Sequence, residues 1–64
     1  MEIRYTYKQD GKFFIGHIDE YPEYPTQAFS INELELNLQD IYEMIHRGAS
    51  VHGAWFFVSS LSDM

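Results

Sequence analysis

The sequence predicts a small α+β domain of order β-β-β-α-β, in which an antiparallel sheet carries one helix on one of its faces. Three features predict it. Residues 3–8 and 12–18 alternate apolar and polar side chains on either side of Asp10-Gly11, a two-residue hairpin signal. Residues 31–47 repeat apolar side chains at spacings of three and four, the pattern of an amphipathic helix. Residues 54–59, Ala-Trp-Phe-Phe-Val-Ser, form an apolar run of strand length. With 64 residues there is room for a single domain, 1–64. A chain of this size buries only about 60% of the surface its unfolded form exposes. It contains no cysteine, so no disulfide supplements the core, and oligomerisation or a partner is the remaining source of stability.

A turn at Asp10-Gly11 sets Gln9 opposite Lys12. Counting outward, it pairs Tyr7 with Phe14, Tyr5 with Gly16 and Ile3 with Ile18 on one face, the face expected beneath the helix. Gly16 opposite Tyr5 reads either as room left for the ring or as an ordinary strand glycine or bulge. The reverse face receives Arg4, Thr6, Lys8, Phe13, Ile15 and His17, a mixture of cations and large apolar groups. Phe13 and Ile15 are either singly exposed apolar residues, which any surface has, or the seed of an oligomer face that also includes Trp55 and Phe57.

Pro22 and Pro25 interrupt regular structure and hold Tyr21 and Tyr24 extended, so residues 19–25 form a rigid connection. Residues 26–29 read as a short third strand. Ser30 followed by Glu33 is a capping box, and the helix starts at Ile31. Ile31, Leu34, Leu38, Ile41, Tyr42 and Ile45 share one stripe that faces the core, while Glu35, Gln39, Asp40, Glu43, His46 and Arg47 lie opposite. Arg47 and Gly48 supply the cation and the left-handed cap that end a helix. The run 54–59 is apolar on both faces, as expected of a strand covered on both sides.

The formal net charge is −6, ten acids against four bases, which argues against a phosphate backbone as direct ligand and suits a basic protein partner. The tyrosines could stack bases, but that mechanism also needs a positive groove. The N-terminus, Met-Glu-Ile-Arg-Tyr-Thr-Tyr, has neither the basic segment nor the apolar run of a signal peptide, and no apolar block approaches the length of a membrane span. A soluble, cytoplasmic chain is expected. His17, His46 and His52 lack the spacing of metal ligands, and no metal or cofactor is expected. The carboxylates lie in a loop or on the solvated helix face, without the apolar setting that prepares a catalytic acid, so no enzyme is expected.

The hairpin, Pro22, Thr26, Gln27, Ser30, Glu33, Asn37 and Leu38, taken in order and spacing, resemble the HicB-like antitoxin family, and the resemblance covers residues 3–48. It implies a truncated ribonuclease-H-like fold without the nuclease's catalytic carboxylates. Such a protein acts by binding a small basic RNA-cleaving toxin of the HicA type, and members commonly form dimers or larger complexes. Glu23 and Ala28 stand where the family often has glycine. The chain stops at Met64, so it reads as a short form without the DNA-binding domain of longer members, and autoregulation is not implied.

The expected contact set for such a partner is Asp19, Glu20, Tyr21, Glu23 and Tyr24, because opposite charge speeds encounter and aromatic anchors carry much of an interface's energy. Leu36, apolar in the middle of the polar helix face, is either an ordinary exposed leucine or a further contact. The alternative function is a stand-alone interaction module that oligomerises through its sheet and has no toxin partner.

Overall fold

A computed structural model describes residues 2–46 and 55–62. The elements follow the expected order: β1 (Glu2–Asp10), β2 (Phe13–Ile18), β3 (Thr26–Ala28), α1 (Ile31–Ile45) and β4 (Phe56–Leu61). The strands form one four-stranded sheet in the order β3-β2-β1-β4, with the helix packed against one face. The class is α+β, but the sheet is mixed rather than wholly antiparallel. β1 pairs antiparallel with β2 and parallel with β4, and β2 pairs antiparallel with β3. The helix is the cause. It carries the chain from the end of β3 back across the sheet, so β4 starts in the same direction as β3 and therefore runs alongside β1.

The hairpin register differs from the expected one by two residues. Tyr5 pairs with Ile18, Tyr7 with Gly16 and Gln9 with Phe14, and Asp10 pairs with Phe13 across a turn made by Gly11-Lys12. Gly11 has φ +62 and no other described residue has positive φ. That is the pattern of a type II′ turn, which needs glycine only at its first central position. A turn centred on Asp10-Gly11 would have asked Asp10 for a left-handed conformation, at a cost of about 1–2 kcal/mol. Because the slip is by two, the faces are kept.

Ile3, Tyr5, Ile18, Ala28, Leu34 and Leu38 are buried and form the core, with Tyr7, Phe14, Tyr21, Ile41, Tyr42, Trp55 and Phe57 packed around it. Of the expected helical stripe, Leu34 and Leu38 are buried and Ile41 and Tyr42 pack against the core, while Ile31 and Ile45 are half-buried at its ends. Ser30 is extended at φ −147 and ψ 160, and its hydroxyl accepts from the Glu33 amide at 3.1 Å, which is the hydroxyl half of the box. The helix runs to Ile45 and is closed by the His46 amide donating to the Tyr42 carbonyl at 2.9 Å. The expected cap at Arg47 and Gly48, and Ala54, lie outside the described residues.

Gly16 faces Tyr7, and its missing side chain makes room for the helix rather than for the Tyr5 ring. A Cβ there would lie 3.0 Å from Leu34 Cδ2, 3.1 Å from the Thr6 carbonyl oxygen and 3.2 Å from Tyr7 Cβ. β4 is not covered on both sides. It is the last strand of the sheet, beside β1 and outside the helix's footprint on β2 and β3.

Gly16→Val should wedge the helix off the sheet and cost about 1–3 kcal/mol, as overpacking of a tight contact does. For a domain of this size that lowers Tm by roughly 4–8 °C per kcal/mol. A Gly16→Val chain that melts at the wild-type temperature would show that Leu34 does not need this space.

Candidate partner-binding surface

The loop between β2 and β3 is held at three points. The Asp19 amide donates to the Arg4 carbonyl and the Tyr21 amide to the Ile18 carbonyl, each at 2.9 Å, and the Tyr24 amide donates to the Tyr21 carbonyl at 3.1 Å. Asp19 Oδ1 accepts from the Thr6 hydroxyl at 2.7 Å, which fixes the loop's first residue to the central strand. Tyr21 packs against the core, and its hydroxyl lies 2.9 Å from His46 Nε2. His46 in turn stacks on Tyr42 with ring centroids 4.2 Å apart, and Tyr42 meets Trp55 edge-on at 5.9 Å. Loop, helix end and the start of β4 are thus joined through one aromatic cluster.

This divides the expected contact set. Asp19 and Tyr21 have structural roles beyond the turn, because one is bonded to Thr6 and the other seated against the helix end. Glu20, Glu23 and Tyr24 are exposed and project from this anchored loop. Leu36 is also exposed, but it sits ten residues before His46. It stands on the helix and not on the loop, next to Asn37, whose side chain bonds the Gln27 carbonyl.

The expected oligomer face does not exist as one surface. Phe13 and Ile15 lie on the open side of the sheet, whereas Trp55 and Phe57 lie on the helix side, where Phe57 meets Tyr5 edge-on at 6.2 Å. The pairing of Ile3 with Phe57 decides this, since it puts Phe56 and Val58 on the open side in their place. Alternation within 54–59 could have separated these pairs, but a run apolar at every position from 54 to 58 does not say which pair faces out. The open side also carries Phe29, its ring tilted against that of Phe13 with centroids 5.0 Å apart, and a groove of about 350 Å³ lined by Thr6, Tyr7, Lys8, Ile15, His17 and Ser62. The groove holds Lys8 and His17 beside the hydroxyls of Thr6 and Ser62 and the apolar side chain of Ile15.

One pairing was hidden in the helix pattern. Glu35, expected on the solvated face, accepts a hydrogen bond from the buried Tyr5 hydroxyl at 2.7 Å. Burial holds the Tyr5 phenol well above the ordinary tyrosine value, and the bond to Glu35 and that residue's charge push it further the same way. Tyr21 is also raised, first by burial and then by Glu20. Among the described residues no three of His, Cys, Asp and Glu lie close enough to hold a metal ion, and no helix is long and apolar enough to cross a membrane. His52 lies outside the described residues.

The raised phenols set a direction for pH dependence. The folded state holds the Tyr5 proton more tightly than the unfolded chain does, so the associated stability is complete below the ordinary tyrosine pKa of about 10 and is lost as pH rises above it. Denaturant midpoints should hold near neutral pH and fall above about pH 10, with a shallower fall in Tyr5→Phe. A wild-type profile as flat as that of Tyr5→Phe would contradict this. Comparison of the chain with protein-family models, curated proteins and solved structures returns no match.

Proposed function

We propose that this chain is an acidic binding protein of the HicB-like antitoxin kind, which neutralises a small basic RNA-cleaving toxin in the cytoplasm by covering its RNA-binding and active surface. The observation that carries the reading is the loop 19–25, in which Asp19 and Tyr21 are anchored so that Glu20, Glu23 and Tyr24 stand exposed on a rigid base. A charge of −6 favours encounter with a cationic protein, and an aromatic ring on a pre-ordered loop binds with little loss of freedom. The residues of the resemblance also bond to one another. Ser30 caps the helix, and Asn37 Nδ2 donates to the Gln27 carbonyl at 3.3 Å, tying the helix to the Thr-Gln strand. The reading assigns the chain no chemistry of its own, so inhibition is steric and electrostatic.

The alternative, a stand-alone module that self-associates through its sheet, is favoured by the apolar side chains Phe13, Phe56 and Val58 left exposed on the open side. Co-expression separates the two. A small basic protein encoded next to this chain should be toxic alone, harmless with it, and recovered in complex with it. The triple variant Glu20→Lys, Glu23→Lys, Tyr24→Ala should keep the wild-type Tm and bind that protein about 30-fold more weakly, the equivalent of losing one anchor residue of about 2 kcal/mol. Unchanged affinity would remove the loop from the contact surface, and a neighbour neither basic nor toxic would remove the antitoxin reading.

A further inference from the structure

The sheet ends in two unlike edges. β3 has three residues and is preceded by Pro25, which has no amide hydrogen to offer a further strand. β4 has six, and from Trp55 to Ser62 there is neither a proline nor a charged side chain, the usual devices that keep an edge strand from pairing. The Ser62 amide donates to the Tyr7 carbonyl at 2.6 Å. Backbone groups alternate in direction along a strand, so the N–H and C=O of Val58 and Ser60 turn inward to β1 with those of Ser62. Those of Phe57, Ser59 and Leu61 turn outward along the edge. Apolar surface flanks this row on both sides: Phe56 is 62% and Val58 43% exposed on the open face, and Leu61 is 67% exposed on the helix face.

We propose that β4 pairs antiparallel with β4 of a second copy of this chain, across a two-fold axis normal to the sheet, so that two four-stranded sheets become one. Such an axis keeps both helices on one side and pairs only residues that share a face, which places it at Val58 or Ser59. The strip suits a second copy because it is complementary to itself. Each β4 supplies the outward donors, acceptors and apolar flank that the other lacks. Charge favours the same place. Two copies of net charge −6 repel through their acidic loops and helices, and this neutral strip brings no like charges into contact. The pairing stands apart from the antitoxin reading, since it needs no toxin.

Light scattering and amide hydrogen exchange test it together. The wild-type chain should have twice the 7.6 kDa chain mass, with the amides of Phe57, Ser59 and Leu61 protected alongside those of Val58 and Ser60. Ser59→Pro removes an outward donor without touching the β1 ladder, and Val58→Lys puts a charge beside the axis at an exposed position. Each should give a 7.6 kDa species with the wild-type far-UV circular dichroism, in which the Phe57 and Leu61 amides exchange at least about tenfold faster while Ser60 stays protected. A wild-type monomer, freely exchanging outward amides in the wild type, or a doubled mass that survives both substitutions would overturn the proposal. So would a dimer dispersed by Ile15→Lys and not by Ser59→Pro. Where Ser59→Pro fails to fold, Val58→Lys and the wild-type exchange pattern decide alone.

Discussion

Tyr5 is the residue on which the arrangement turns. It lies in β1, an inner strand paired with β2 on one side and β4 on the other, its ring is fully buried, and its hydroxyl reaches the helix at Glu35. A buried phenol without a partner would cost roughly 1–3 kcal/mol, so the bond to Glu35 selects one position of the helix over others that would bury the same apolar stripe. Gly16 limits that position from below, because Leu34 rests where a side chain would otherwise be. Hydrophobic burial holds the helix on the sheet, and these two contacts determine where.

The position of the helix is passed on to the loop. His46 closes α1, bonds the Tyr21 hydroxyl and stacks on Tyr42, so a helix seated by Tyr5 and Leu34 also sets the far end of the loop, while Thr6 sets its start through Asp19. The exposed acids and Tyr24 are therefore displayed by the core and not by local turn chemistry alone. The opposite consequence falls on β4. Because the helix covers β2 and β3, no described residue lies along the outer edge of the strand it delivers beside β1, and Phe56, Val58 and Leu61 are exposed.

Much of the fold could be read from the chain, and the rest failed for identifiable reasons. Ser30 marked the helix start and the spacing of Leu34 and Leu38 marked its buried face, because capping and amphipathic period are local. Strand faces were legible from alternation. Register was not, since Asp-Gly signals one turn type while Gly11 followed by Lys12 satisfies another, and only the difference between the two, a slip of two residues, separates them. The parallel pairing of β4 depends on which way the helix returns the chain, a property of the whole domain. At the candidate surface, composition pointed to the loop, but the roles of Asp19 and Tyr21 rest on Thr6 and His46, thirteen and twenty-five residues away. Trp55 and Phe57 were grouped with Phe13 and Ile15 because the unbroken apolar run 54–58 does not reveal its outer face.

The Tyr5 to Glu35 contact seats the helix, and a double-mutant cycle measures it without reference to any partner. Denaturant unfolding of the wild type, Tyr5→Phe, Glu35→Gln and the double variant should give a coupling of about 1.5–3 kcal/mol, the range for a hydrogen bond to a charged group. Single effects that add to within about 0.5 kcal/mol would mean that the two residues are neighbours only, and that burial alone positions the helix.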